Sequence, residues 1–225
     1  MKKERPQKVH FISLGCPKNL IDSEVMAGLL NKSGRQLTQS ANDADIVIVN
    51  TCGFIDAAKE ESLEEILTLS QQKKQTGRDF KIVVAGCLAQ RYGKELLAEI
   101  PEVDLFIGTS EVGNVVRHVS TLKKVSFRRA SIISKPQFLM NYHHPRIISA
   151  KTATAYLKIS DGCSNCCSYC AIPVIRGRAR SRMPKDIMRE VESLAARGVK
   201  EIIITGQDTT AYGKDLKSCP RLSEL

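Results

Sequence analysis

A run of four cysteines between positions 163 and 170 constrains this chain more than any other feature. Cys163, Cys167 and Cys170 are separated by three and then two residues, a spacing that suits three thiolate ligands of one [4Fe–4S] cluster. The fourth iron would lack a protein ligand, and an open coordination position is typical of a catalytic metal site. Such an iron can bind S-adenosylmethionine (SAM) and deliver an electron to it, which is a recognised route to radical chemistry.

A zinc site and a disulfide cluster are the alternatives to an iron–sulfur site at this run. A zinc site normally has four Cys or His ligands, often as two close pairs. A second pair is missing here, although Cys166 offers a fourth thiolate at strained spacing. A disulfide cluster fits poorly, because no secretory signal precedes the chain. We therefore favour an iron–sulfur site and expect Cys166 to be an unused thiol.

The composition indicates a globular protein of a reducing compartment. The 225 residues suffice for one or two domains, and the hydrophobic share of 42% supports a real core. The start is too polar for a signal peptide, and no stretch approaches the ~18–20 apolar residues that span a bilayer. We expect a soluble, cytoplasmic protein with no membrane contact, in which eight cysteines indicate metal binding or catalysis.

The charge is basic. Lys+Arg number 34 against 24 Asp+Glu, and the net charge of +10 permits a polyanionic partner such as RNA or a ribosome. The local signal is an arginine run at alternate positions, which predicts either a solvated loop or an anion site. Its members are Arg176, Arg178, Arg180 and Arg182.

The first half of the chain repeats a pattern of strand, cysteine and helix. Apolar, β-branched runs at 9–14, 46–49 and 82–85 predict buried parallel strands, and a fourth run lies at 103–107. Residues with helical periodicity follow each strand, so we predict an α/β domain built on a parallel sheet. Each of the first three strands ends at a cysteine, in turn Cys16, Cys52 and Cys87.

These three cysteines are expected to converge, because the carboxyl ends of parallel strands lie along one edge of a sheet. Three convergent thiolates would again hold a cluster with one open iron. The alternative is three buried, inert cysteines, since free Cys is among the most buried residue types. Inert cysteines should be scattered along the strands rather than placed at one end of each, so we predict a second metal site.

The second half predicts one βαβ unit. Strands at 154–159 and 201–205 flank a helix that begins at Pro184 and stops before Gly198. Periodicity fades between them and the first half, so we predict a domain at 1–122, a linker at 123–150 and an incomplete domain at 151–225. One βαβ unit cannot close a barrel, and we expect the sequence to be the front part of a longer enzyme.

Several motifs together resemble one known family. They are LGCPKNLIDSE (14–24), NTCGFI (50–55), AGCLAQ (85–90), GCSNCCSYCAIP (162–173), RGRARS (176–181) and GQDTTAYG (206–213). The whole chain resembles the amino-terminal half of the radical SAM methylthiotransferases. Pro17-Lys18 and Gln207-Asp208 resemble the branch that methylthiolates an aspartate of small-subunit ribosomal protein S-twelve, rather than the branch that modifies tRNA adenosine.

The resemblance implies two [4Fe–4S] clusters, with SAM as a further cofactor, and a partial TIM-like barrel that begins in the second domain. Cys163, Cys167 and Cys170 would hold the cluster that cleaves SAM to a radical, with Gly206, Gln207 and Asp208 in the vicinity of SAM. The auxiliary cluster, which presents sulfur to the substrate radical, would be held by Cys16, Cys52 and Cys87. The implied partners are the ribosomal protein, in or near the ribosome, and an electron donor such as flavodoxin or ferredoxin.

Two departures from the family pattern stand out. The rest of the barrel and a small β-barrel domain are missing from this sequence, so we expect weak or no activity from the chain alone. Cys166 stands where the family often has another residue. A non-enzymatic metalloprotein that binds RNA or the ribosome is the alternative from a different class.

Overall fold

The computed structural model describes residues 5–123, 128–148 and 153–225. Up to residue 132, the described elements are β1 (Lys8–Ser13), α1 (Pro17–Lys32), β2 (Gln36–Leu37), β3 (Ile46–Thr51), α2 (Asp56–Thr76), β4 (Lys81–Gly86), α3 (Cys87–Glu99), β5 (Leu105–Ile107), α4 (Val115–Thr121) and β6 (Ala130–Ile132). Beyond it lie β7 (Thr154–Lys158), β8 (Ser160–Asp161), α5 (Ile172–Arg176), β9 (Arg180–Ser181), α6 (Pro184–Ala196) and β10 (Glu201–Thr205).

The first part of the chain forms a parallel sheet with helices on both faces. The strand order is β2-β1-β3-β4-β5-β6, and every neighbouring pair is parallel. Alternate residues of β3 enter different cores, Ile46 and Ile48 on the side of α1 and α4, Val47 and Val49 on the side of α2 and α3. A strand covered on both faces reads as a continuous apolar run. The predicted α/β architecture is confirmed.

The second part is the predicted βαβ unit. β7 and β10 pair in parallel, and α6 connects them. Ile187 and Leu194 of α6 are buried in one core with Ala155 and Leu157 of β7. β8 and β9 form a small antiparallel pair that flanks the cysteine run and α5.

The shortest elements leave no recognisable pattern in the sequence. β2, β8 and β9 have two residues each and α5 has five, which is too short for a periodic pattern. β6 lies in the predicted linker and pairs with β5 as the sixth strand of the first sheet. The predicted segment 123–150 therefore contributes to the first sheet, and its boundaries stay predictions. Across the described residues, the helices are too short or too polar to cross a membrane.

Four buried charges join the two parts of the chain. Lys158 Nζ lies 2.5 Å from a carboxylate oxygen of Asp22 in α1 and 3.3 Å from one of Asp161. The guanidinium of Arg176 contacts the same two residues, at 2.5 and 3.4 Å. No side chain of the four is more than 3% exposed. We call this group the ionic cluster; its two cations and two carboxylates balance in charge.

A further arginine connects the same two parts. Arg146 pairs with Glu24 of α1 at 2.6 Å and with Glu190 of α6 at 2.8 Å. Glu190 in turn accepts from Arg182, which is 1% exposed. Moving α1 away from α6 would leave these buried charges uncompensated, which is costly. The contacts therefore hold the two helices in their relative position.

The carboxyl of Asp161 is held ionised by its neighbours. Burial raises its pKa, but Lys158 and Arg176 outweigh burial and lower the pKa from 3.8 to about 2. A lowered carboxyl pKa stabilises the folded chain at pH values where the carboxylate is ionised, and this contribution is lost as the pH falls through the folded-state pKa. The shift corresponds to about 2 kcal/mol at neutral pH.

Asp161→Asn should therefore destabilise the fold most above about pH 5. Between pH 5 and pH 3, the difference in free energy of unfolding from the parent should shrink by about 1 kcal/mol. Urea unfolding of both proteins at the two pH values measures it. Asp79→Asn is the control: its carboxylate is exposed and pairs with Lys81 at 3.1 Å, and since exposed ion pairs are worth little, the change should affect the free energy of unfolding less at both pH values. A constant difference for Asp161→Asn would contradict the assigned role of the ionic cluster.

Candidate metal centre

Cys16, Cys52 and Cys87 follow β1, β3 and β4, which are neighbours in the sheet. Cys16 precedes the first residue of α1, and Cys87 is the first residue of α3. Cys52 and Cys87 are 9% and 7% exposed, and Cys16 is half-buried. The cysteines thus lie at the carboxyl edge of a parallel sheet, where such sheets bind ligands.

The second set lies in the loop after β8. The Cys163 amide donates to the Gly177 carbonyl at 3.0 Å, and the Cys170 amide donates to the Cys167 carbonyl at 3.1 Å. Cys163 and Cys170 are half-buried, whereas Cys167 is exposed. The loop leads directly into α5, so the backbone bonds fix its two ends while Cys167 stays open to solvent.

In each set, a glycine just before one cysteine allows the backbone to approach its neighbours closely. Gly86 has φ +95°, and a Cβ there would lie 2.3 Å from Asn50 Oδ1. Gly162 has φ +79°, and its Cβ would lie 2.2 Å from the Arg178 carbonyl oxygen. A side chain would be strained by the left-handed backbone and would collide with its neighbour, so both positions require glycine.

Both cysteine sets line one cavity of about 420 Å³, although they come from different parts of the chain. Its lining comprises Cys16, Lys18, Cys52, Phe54, Cys87, Cys163, Asn165, Cys167, Cys170, Ile172, Ile175, Arg176, Gln207 and Asp208. All six predicted ligands are present. Cys166 is exposed and is not part of this lining.

The donors of this cavity suit a thiophilic metal. Soft thiolates favour iron–sulfur clusters or zinc over the hard cations that prefer oxygen. Among residues 5–123, 128–148 and 153–225, no three Cys, His, Asp or Glu side chains lie close enough to hold a single ion. In an iron–sulfur cluster the cysteine thiolates ligate different irons, so they do not need to meet at one point. The residues therefore fit the groups that the sequence analysis predicted.

Gln207 and Asp208, which follow β10, line the same cavity. Lys18 Nζ contacts the carbonyl oxygen of Gly206 at 3.4 Å. Gln207 donates through Nε2 to Asp161 at 3.0 Å, and its Oε1 is buried with no hydrogen-bond partner among the described residues. Asp208 accepts from Asn165 in the cysteine loop at 3.1 Å. The segment is thus tied to both halves of the chain.

Cys87 has polar neighbours that the sequence analysis missed. Its Sγ lies 3.4 Å from Asn19 Oδ1 and 3.5 Å from Arg176 Nη2. Burial raises the pKa of the Cys87 thiol, and the charge and hydrogen bond of Arg176 oppose that rise. One signal was available in the sequence: Asn19 and Asp22 occupy positions of α1 that face the interior, where apolar residues are usual.

The arginine run is neither a solvated loop nor one anion site. Arg176 and Arg182 are buried at 3% and 1% exposure, and both pair with carboxylates of the protein. Arg180 is half-buried and donates to backbone carbonyls, including that of Pro136 at 2.6 Å. Arg178 is exposed. Both interpretations fail for the buried members, because Arg176 pairs with Asp22, 154 positions away, and Arg182 pairs with Asp186 and Glu190 of α6.

Two family descriptions match the chain. The family described as "Uncharacterized protein family UPF0004" matches residues 8–108, and the Radical SAM superfamily matches residues 157–225. Solved structures support the fold. A radical S-adenosylmethionine methyltransferase, TsrM, from Kitasatospora setae superposes with a TM-score of 0.57 over 91% of this chain and 50% of its own. At 13% identity this likeness shows the fold alone.

Curated relatives cover nearly the whole chain. A protein of Syntrophus aciditrophicus is 53% identical over 98% of this chain, and one of Pelotomaculum thermopropionicum is 49% identical over 97%. A protein of Clostridioides difficile is 46% identical over 97%. Each is named "Ribosomal protein uS12 methylthiotransferase RimO". The chain spans about half the length of these relatives, at 48–49% of each.

The two family matches lie on the two parts of the fold that supply the two cysteine sets. The relatives share about half of the residues along almost all of this chain. On these findings, the chain belongs to the radical SAM methylthiotransferase family.

Proposed function

We propose that this chain is part of a radical SAM enzyme that adds a methylthio group to the β-carbon of an aspartate in ribosomal protein uS12. The observation that carries the proposal is the single cavity lined by two cysteine trios from two parts of the fold. The relatives named for uS12 methylthiotransferases supply the substrate. An aspartate β-carbon has no acidic proton that a simple base removes easily, so radical chemistry suits it.

The proposed ligands divide between the two parts of the chain. Cys163, Cys167 and Cys170 would hold the [4Fe–4S] cluster that binds SAM. The auxiliary [4Fe–4S] cluster would be held by Cys16, Cys52 and Cys87. When bound, these groups supply an electron for SAM cleavage and a sulfur atom for transfer. The chain itself brings both thiolate sets to one cavity, so that a substrate side chain between them is within reach of both.

The segment Gly206 to Asp208 is proposed to contact SAM. The Oε1 of Gln207, which is buried without a hydrogen-bond partner among the described residues, is an acceptor for an ammonium or hydroxyl group. Hydrogen bonds from Thr210, and then from Asn165, lower the pKa of Asp208 and keep a carboxylate at the cavity. SAM carries both an ammonium group and ribose hydroxyls, which these acceptors would recognise.

We further propose a cytoplasmic location and an electron donor such as flavodoxin or ferredoxin, since the proposed reaction consumes an electron and acts on a ribosomal protein. The net charge of +10 suits approach to a ribosome. We also propose an amino-terminal domain at 1–122 with the auxiliary cluster, a connecting segment at 123–150 that adds β6 to the sheet of that domain, and an incomplete radical SAM domain at 151–225.

The decisive experiment joins metal analysis with product analysis. The anaerobically reconstituted chain should contain iron and sulfide rather than zinc, and it should release 5′-deoxyadenosine from SAM under reducing conditions. A uS12 peptide with the target aspartate is incubated separately with this chain and with a full-length relative. With the relative, mass spectrometry should show that the peptide gains one methylthio group. A peptide with Asn in place of the Asp is the control. Modification of tRNA adenosine instead, or zinc in place of iron, would contradict the proposal.

We predict that the two cysteine trios bind iron independently. Replacing Cys163, Cys167 and Cys170 by Ala should leave about half of the iron after anaerobic reconstitution, because the other trio retains its donors. Further replacement of Cys16, Cys52 and Cys87 should remove the remainder. Complete iron loss from the first triple variant, with an unchanged circular dichroism spectrum, would mean that all six thiols serve one site.

Cys166 is predicted not to be a ligand. It is exposed and absent from the cavity lining, and its Sγ donates a long hydrogen bond, at 3.9 Å, to the Ser164 carbonyl oxygen. Cys166→Ala should therefore keep the iron content and the absorption spectrum of the parent. Cys167→Ala, one position away, is the matched control and should lose one cluster. Loss of a cluster from Cys166→Ala would refute the assignment.

A further inference from the structure

Arg176 occupies a position between the two proposed metal sites. It is the last residue of α5, the short helix that follows Cys170, so its backbone belongs to the part that carries the second cysteine set. Its guanidinium reaches the first part, where Nη2 lies 3.5 Å from Cys87 Sγ. Arg176 is 3% exposed and Cys87 is 7% exposed, so the contact between them is shielded from bulk water. A charge-assisted hydrogen bond to sulfur is strong in such surroundings.

The orientation of this guanidinium is fixed from several sides. Nη1 donates to Asp22 at 2.5 Å, and Nη2 donates to Asn19 Oδ1 at 2.5 Å. Asn19 is itself held, because its Nδ2 donates to the carbonyl oxygens of Leu14 and Thr51 at 3.1 and 2.8 Å. The amide therefore turns its oxygen toward Arg176, and the planar fork of the arginine keeps Nη2 directed at the sulfur.

We propose that Arg176 is a positioning residue that donates a hydrogen bond to the Cys87 thiolate and thereby raises the reduction potential of the cluster held by Cys16, Cys52 and Cys87. The inference rests on the proposed function, which places a cluster there. Hydrogen bonds to cluster sulfurs and nearby positive charge favour the more negative, reduced state, so both raise the potential. Through α5, the same residue ties the auxiliary site to the loop that would bind SAM.

Lys158 provides a matched control within the chain. It shares both carboxylates with Arg176, at 2.5 Å from Asp22 and 3.3 Å from Asp161, and it is fully buried. Among the described residues, however, it is Arg176 that donates to a cysteine sulfur and Lys158 that does not. Removing either cation leaves the same carboxylates short of one positive charge, but only the loss of Arg176 removes a bond to the ligand.

The test uses the 225-residue chain with Cys163, Cys167 and Cys170 replaced by Ala, so that the auxiliary site is observed alone. After anaerobic reconstitution, iron is counted and the midpoint potential is measured by a redox titration followed by electron paramagnetic resonance. Arg176→Gln should shift the midpoint potential to more negative values and lower iron retention during gel filtration. Lys158→Met should retain the iron and show a clearly smaller shift.

Arg176→Lys keeps the experiment decisive if Arg176→Gln fails to fold. Lysine preserves the charge beside Asp22 and Asp161 but lacks the fork that reaches the sulfur, so a shift in the same direction is expected. The proposal is overturned if Lys158→Met shifts the potential as far as the Arg176 variants, or if a folded Arg176 variant retains the parent potential and iron. A parent that takes up no iron contradicts the proposed function, and this inference with it.

Discussion

The arrangement of the cavity depends on one buried interaction, the ionic cluster of Asp22, Lys158, Asp161 and Arg176. It joins α1 in the first part to β7, β8 and α5 in the second. Buried ion pairs add little net stability over apolar contacts, yet breaking one by removing a partner costs about 3–5 kcal/mol. Such a cluster therefore specifies geometry more than it stabilises the fold. The observed docking of the two parts pairs all four charges and brings the two cysteine sets to one cavity.

The sequence was sufficient to predict the parts of the site that follow from local pattern. Cys16, Cys52 and Cys87 stand after continuous apolar runs, and the geometry of a parallel sheet then requires them to share an edge. The spacing of Cys163, Cys167 and Cys170 likewise predicts three ligands of one iron–sulfur cluster. In both cases a few neighbouring residues determine the outcome, and the structure brings all six thiols to the same cavity.

The connection between the two sets could not be predicted in this way. Lys158 and Arg176 meet Asp22 across separations of 136 and 154 residues, and no periodicity links such positions. α5, which carries Arg176, has only five residues. From its neighbours in sequence alone, the arginine run is therefore interpreted as an exposed basic segment. The informative signal was on the other side of the contact, in the polar residues Asn19 and Asp22 on the covered face of α1.

The two cysteine sets differ in their access to solvent and in the charge around them. Cys52 and Cys87 are 9% and 7% exposed, whereas Cys167 of the second set is open to solvent. The buried set faces the amino termini of α1 and α3, at Cys16 and Cys87, and helix amino termini favour negative charge. Together with Arg176, these dipoles would supply positive potential for the three thiolates of the proposed auxiliary site. Negative charge at the two proposed sites would therefore be stabilised differently, by solvent at the second set and by oriented protein dipoles at the first.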